Sequence, residues 1–295
     1  MSTASDMADN QTHMSNNNRE ISLVTLDSRH LKGALKLSQE FSWPYRLEDW
    51  QFAAQVGEGV VLERDGEVLG TALWWSYGER YATAGMIIVT AKAQGGGQGS
   101  RLFNALLEAT KGRNLLLNST EEGLALYRRR GFEPWGMVHQ HQAVLAAPPE
   151  TEPSDDIRPA TAEDLAAIQV LDERAIGMPR QQLVAALFDT GKGKVLVRDD
   201  EIAGYAICRR FGRGYVVGPV AAGSVEDAKR LICAHLVKLG GQFVRLDVYA
   251  DDGLSDWLAE LGLPMTGQAV AMARGTRPAT IAPLHMYAVA NQSFS

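Results

Sequence analysis

Apolar residues change their spacing along this chain, and each change predicts an element. Residues 61 to 72 read Val-Leu-Glu-Arg-Asp-Gly-Glu-Val-Leu-Gly-Thr-Ala, two strand-like runs about an Asp-Gly turn, which predicts a β-hairpin. Met86 to Val89 is a short buried-strand run, and a glycine-rich turn follows at 94 to 99. From about Ser100 to Lys111 the spacing is helical, with Leu102, Leu106 and Ala109 on one face and Phe103 and Leu107 beside them. Leu115 to Asn118 predicts another strand. Ser119-Thr120-Glu121-Glu122 has the form of a capping box, so a helix is expected to start there. Arg128, Arg129 and Arg130 stand near its end, where cations favour the dipole, and Gly131 supplies a left-handed stop.

The outline then repeats. Residues 195 to 206 read Val-Leu-Val-Arg-Asp-Asp-Glu-Ile-Ala-Gly-Tyr-Ala, so Arg64, Asp65, Glu67, Gly70 and Ala72 recur without a gap as Arg198, Asp199, Glu201, Gly204 and Ala206. Each half opens with a short strand and a helix start, Ile21 to Leu31 and Ile157 to Leu165. The second half continues with strands over Tyr215 to Val220 and Phe243 to Tyr249, and helices over Val225 to Leu239 and Leu254 to Leu261. Two common hairpins can match by chance; a tandem repeat of one α/β domain accounts for more of the chain. Pro148, Pro149 and Pro153 favour extended backbone and remove amide donors, which makes residues 148–155 a linker. Residues 1–18 are polar and rich in Ser, Asn and Asp, the composition of a disordered tail. The expected domains are therefore 19–147 and 156–295.

Composition narrows the function without choosing it. The 295 residues are 45% hydrophobic and 22% charged, as in ordinary globular proteins. A net charge of -6 argues against nucleic acid, which calls for a basic surface. No apolar run approaches a membrane span, and the first eighteen residues lack the basic start and apolar stretch of a signal peptide, so a cytoplasmic protein with no membrane partner is expected. Cys208 and Cys233 suggest neither a disulfide framework nor a metal site.

The stretch Gln94-Gly95-Gly96-Gly97-Gln98-Gly99-Ser100 lies between a predicted strand and a predicted helix. Successive glycines leave no Cβ between main-chain amides and a ligand, and the following helix adds its positive end, so an anion such as a diphosphate suits the loop. A Walker loop is excluded because no Gly-Lys-Ser/Thr closes it. The dinucleotide fingerprint fails at its third glycine, where Ser100 stands, and an antiparallel hairpin precedes this strand where a dinucleotide fold would begin. The pattern Gln/Arg-x-x-Gly-x-Gly/Ala matches Gln94, Gly97 and Gly99.

With that pattern the chain resembles the GNAT superfamily of acyl-CoA-dependent N-acetyltransferases. A second family motif stands at Leu126-Tyr127-Arg128-Arg129-Arg130-Gly131-Phe132, about thirty residues on and in the right strand–helix–strand–helix order. The resemblance covers about residues 20 to 145; more loosely, the whole chain is similar to tandem proteins whose second domain is a degenerate copy. It implies an α/β fold of two GNAT-like domains, each a mixed, mostly antiparallel sheet flanked by helices. It also implies acetyl-CoA as cosubstrate and no metal, with Ile88 and Val89 holding the pantetheine arm and Gln94, Gly95, Gly96, Gly97, Gln98, Gly99 and Ser100 the pyrophosphate. Tyr127, near the family's sulfur position, becomes the expected proton donor to the leaving thiolate.

The expected acceptor is the primary amine of a small molecule. The segment that borders the acceptor site in the family is Phe41 to Arg46 here, which nominates Trp43 and Tyr45, and Arg46 for an acceptor bearing a carboxylate. Glu79 is a possible base, though an exposed loop position is expected for it. His139 and His141 alternate on one strand face; with no third ligand evident, a solvated face is expected rather than a metal site. In the second copy the turn after Val220 has one glycine, Glu226 and Asp227 occupy the helix start, and Leu258 replaces the tyrosine, so that half is expected to be non-catalytic. Two other readings stay open: a non-catalytic acyl-CoA-binding or regulatory module, and an enzyme using the loop for another diphosphate. A homodimer is possible.

Overall fold

A computed structural model describes residues 20–150 and 155–294. The tail expected at 1–18 and residues 151–154 of the linker lie outside the described residues. In the first half the elements run β1 (Ser22–Thr25), α1 (Leu31–Glu40), α2 (Leu47–Gln55), β2 (Glu58–Arg64), β3 (Glu67–Tyr77), β4 (Tyr81–Val89), α3 (Gln98–Ala109), β5 (Asn114–Ser119), α4 (Leu124–Arg128) and β6 (Glu133–Val144). The second half repeats them as β7 (Ile157–Pro159), α5 (Leu165–Ile176), α6 (Gln181–Thr190), β8 (Gly191–Arg198), β9 (Glu201–Phe211), β10 (Gly214–Ala222), α7 (Val225–Leu236), β11 (Phe243–Tyr249), α8 (Ser255–Glu260) and β12 (Met265–Arg274), and adds β13 (His285–Val289).

Both hairpins form where the turn residues dictate. Asp65 and Gly66 have φ of 52° and 79°, and Asp199 and Asp200 have 50° and 63°, the left-handed pair that a two-residue hairpin turn requires. Gly131 likewise ends α4 at φ 82°. The capping box expected at Ser119 does not form: its hydroxyl donates to the Thr120 carbonyl at 2.7 Å, and Thr120 becomes the N-cap of a short 3₁₀ turn, Glu121–Gly123, that leads into α4. The helix expected to reach Leu239 stops at Leu236.

The halves do not keep separate sheets. The strand order is β1-β2-β3-β4-β5-β12-β6-β11-β13-β10-β9-β8-β7, so each half lends its late strand to the other. β12 inserts between β5 and β6, pairing Val270 with Ser119 and Ala269 with Val138, while β6 runs beside β11 with Phe243 opposite Val144. Every pairing is antiparallel except β4–β5 and β10–β11. On one face α1, α2, α5 and α6 share a continuous core that includes Trp50, Trp75, Ile168, Leu187 and Phe294. On the other, α3 covers Leu62, Leu69 and Leu115, and α7 and α8 cover Val217, Leu246 and Val248.

The two parallel pairs decide where a site can form. β4 pairs with β5 only over Tyr81–Thr83, after which the strands part. The backbone of β4 bends at Met86, which carries φ 51°, and beyond it Ile88 and Val89 pair with β3 alone. β10 and β11 also part, after Val216, but β13 fills that gap, pairing Val220 with Ala288 and Asp247 with Val289.

Candidate active site

The open fork between β4 and β5 leads into a cavity of about 310 Å³. Its walls come from both halves: Ala84 to Ile87 of β4, Leu117 and Asn118 of β5, Tyr127 of α4, Ser42 to Tyr45 between α1 and α2, Gln140 and Gln142 of β6, Gly267 and Gln268 of β12, and Arg213, Arg245, Gln292 and Ser293. Of the residues nominated from sequence, Tyr127, Trp43 and Tyr45 lie here. Trp43 and Tyr45 meet at a tilt of 54° with ring centroids 6.0 Å apart, and Tyr45 meets Phe211 edge-on at 5.5 Å. The Tyr45 hydroxyl is joined to Ser293.

Tyr127 leans on Phe103 and Phe132, at 5.2 and 6.0 Å. Its ring lies over Gly123, where a Cβ would come within 2.8 Å of it. Burial pushes its hydroxyl up to about 12, so it keeps its proton through neutral pH.

The glycine loop sits at the other end of the fork. Gly97 is the N-cap of α3 at φ 74°, Gly95 has φ 82°, and a Cβ added at Gly95, Gly96 or Gly97 would meet nothing within 4 Å. The amides therefore face open space at a helix start that carries no acidic residue in its first turn. Gln94 ties the loop to the strand by donating to the Val89 carbonyl at 3.0 Å. The buried Gln98 side-chain oxygen has no hydrogen-bond partner among the described residues. These features fit a diphosphate and an extended arm along β4.

Other nominated residues fall elsewhere. Arg46 holds Asp49 through Nε at 3.1 Å and Nη2 at 2.7 Å, while Asp49 also accepts the Gly212 amide at 3.0 Å, so the pair braces the two halves outside the cavity. Glu79 is exposed in the β3–β4 turn. His139 and His141 do share a face of β6, but they meet α8 rather than solvent. His141 Nδ1 lies 2.8 Å from the Leu263 carbonyl and so carries the proton, leaving Nε2 to accept from Ser255 Oγ at 2.8 Å; His139 Nδ1 lies 2.8 Å from the same hydroxyl.

Sequence reasoning missed the polar wall. Gln140 and Gln142 alternate with those histidines and were findable by period-two logic. No sequence signal announces Gln268, Gln292, Arg213 or Arg245. Arg245 pairs with buried Asp247 through Nε and Nη2 at 2.8 and 3.0 Å, and Gln292 donates to Asp247 at 3.1 Å. No carboxylate or imidazole is among the described residues lining the cavity.

In the second half the corresponding parts are occupied. Asp227 in the first turn of α7 accepts from Arg198 at 2.7 Å, and Leu258, in the place of Tyr127, is fully buried.

The family described as the acetyltransferase (GNAT) domain matches twice, over residues 56–134 and, with a second model of the same description, over 168–288. An uncharacterised N-acetyltransferase of Bacillus subtilis, YitH, is 24% identical over 277 residues, covering 92% of this chain and 97% of that protein. A holothin acyltransferase of a Pseudoalteromonas species is 27% identical over 278 residues, covering 82% and 92%. An acetyltransferase candidate of known structure from Pyrococcus horikoshii superposes with a TM-score of 0.78 at 15% identity, covering 96% of this chain and all of that one.

Proposed function

This chain is a tandem member of the GNAT superfamily and an acyltransferase, and from that premise we propose that its first half moves an acetyl group from acetyl-CoA to the primary amine of a small molecule. The observation that carries the proposal is an alignment along one strand: an unfilled fork and a protonated tyrosine hydroxyl open on one cavity, and a side-chain-free glycine bay lies beyond the far end of β4. In this reading Gly95 to Ser100 bind the pyrophosphate, and the free edge at Ile88 and Val89 takes the pantetheine arm through main-chain hydrogen bonds. The acceptor lies against Trp43 and Tyr45.

The amine attacks the thioester carbonyl, the carbon–sulfur bond breaks with its electron pair on sulfur, and the proton shed by the attacking nitrogen leaves to solvent, giving the amide and the coenzyme thiolate. Tyr127 donates a hydrogen bond to that sulfur. Complete proton transfer from a phenol at about 12 to a thiolate near 8.5 runs uphill by about 5 kcal/mol, so its main contribution is the hydrogen bond during departure. On the nucleophile's side no carboxylate or imidazole among the described lining residues serves as a base, and Arg213 disfavours a second cation, while Arg245 is compensated by Asp247. The amine therefore enters neutral, having left its proton in bulk water. Arg46, committed to Asp49, has no part in binding it.

The second half is non-catalytic in this proposal, because β13 fills its fork and Asp227, paired with Arg198, already occupies the start of α7. The test is a panel of amines, amino acids and polyamines with acetyl-CoA, read as free thiol. Acceptor-dependent thiol release is expected; saturable coenzyme binding with no release across the panel would leave a binding module and end the enzymatic reading of this site.

A further inference from the structure

A second cavity, of about 200 Å³, lies where the repeat places the counterpart of the acceptor site. Gly267 and Gln268 of β12 and the α1–α2 connection wall the first cavity; Gly136 and Met137 of β6 and the end of α5 with Met178 wall this one. β13 excludes a thioester from the neighbouring fork, yet the cavity stays open.

Its chemistry is not that of a leftover apolar void. Trp135 and Tyr249 form an aromatic wall with centroids 5.4 Å apart. The Trp135 Nε1 is buried without a hydrogen-bond partner among the described residues. The Arg277 guanidinium lies 4.8 Å from the Trp135 ring centre, so that ring already accommodates a cation. At the rim stands half-buried Asp252, for which no hydrogen bond or ion pair is found among the described residues. Burial pushes its carboxyl up to about 6, with His285 pulling it down and Asp251 adding to the rise. A carboxylate withdrawn from water beside aromatic faces gains from a cation that brings its own apolar body.

We propose that this cavity is a second small-molecule site, separate from the acyl-transfer site, that binds an organic amine with an aromatic or apolar body: its ammonium pairs with Asp252 and its body lies against Trp135 and Tyr249. An anionic guest could turn to Arg277, which is exposed and stacked on Trp135, to His285 and to the Trp135 N–H, but it would face Asp251 and Asp252, where an ammonium meets two carboxylates. The amine is therefore the chemistry the cavity favours.

Because the probe can also enter the acceptor cavity, the test blocks each cavity in turn. Gly136 and Gly267 each line one cavity, and a Cβ at either meets nothing within 4 Å, so leucine is introduced there to fill its own cavity. Titration calorimetry of the full chain with 2-phenylethylammonium is compared with 2-phenylethanol and phenylacetate. Binding should persist in Gly267→Leu, and in that background Asp252→Asn or Gly136→Leu should weaken it at least ten-fold, with both control compounds weaker than the amine. The proposal is overturned if the amine fails to bind Gly267→Leu, if folded Asp252→Asn binds it undiminished, or if phenylacetate binds as well. Should Gly136→Leu fail to fold, Asp252→Asn decides alone. None of these results depends on acyl transfer, so failure here and failure of the transferase reading are separable.

Discussion

At single residues, the site depends on hydroxyl and amide placement more than on charge. Tyr127 is half-buried and its hydroxyl has no hydrogen-bond partner among the described residues, which leaves its proton available to sulfur. Tyr127→Phe should lower kcat about 100-fold with little change in coenzyme affinity, measured by steady-state kinetics and titration; equal turnover removes the role. Gly97→Val should weaken coenzyme binding about 10- to 100-fold, since a β-branched residue resists φ 74° and its side chain would stand among the amides. Unchanged affinity would move the diphosphate elsewhere. The missing side-chain base sets a pH rule: kcat/KM should rise ten-fold per pH unit below the acceptor's own pKa and level off above it. A plateau that stays near pH 7 for acceptors of widely different pKa would mean that a protein group takes the proton.

At the element level, the hairpins and the helices after each central strand were legible because local rules and tertiary packing agree, whereas α2, α6, β12 and β13 were not read from the sequence. The Asp-Gly and Asp-Asp turns fix the hairpins, and the apolar face of α3 fixes its orientation. α4 was less legible: the capping box read at Ser119 competes with the strand that precedes it, and the chain resolves this by starting one residue later with a 3₁₀ turn. α7 carries a measurable consequence. Its His235 is buried and its Nε2–H donates to the Ala206 carbonyl at 3.2 Å, and burial, with Lys194 and Lys238 nearby, holds it down to about 4. A histidine whose folded pKa is depressed contributes fully above about 6.5, and stability falls as pH drops from there towards 4, because the unfolded chain takes the proton first. The loss should reach about 3 kcal/mol, read as urea midpoints between pH 7 and 4, and His235→Leu should flatten that part of the profile.

For the molecule as a whole, exchange of β6 and β12 makes the halves interdependent. Phe294, 1% exposed, packs its ring on Trp75 at 4.8 Å and Phe52 at 5.7 Å, both in the first half. The fully buried Arg180–Asp172 pair, shared with Tyr205, reaches the Phe294 carbonyl as well. Phe294→Ala should cost about 3–5 kcal/mol and lower both halves in one transition, with fluorescence and circular dichroism coincident. It should also raise the acceptor KM, because Gln292 and Ser293 line the cavity. Two separated transitions would show that the halves fold independently.

Sequence by itself determined the repeat, the hairpins, the glycine bay and the Tyr127 motif, because each is local: a turn needs its own residues in left-handed φ, and an amide cradle needs its own side chains absent. Tertiary structure alone decided which strand fills which gap. Whether a fork stays open or is closed by β13, and whether Gln292 or Arg46 reaches the cavity, depends on pairing between segments far apart in the chain. Such pairings are selected by the burial of faces contributed by both halves, and no window of sequence contains both partners.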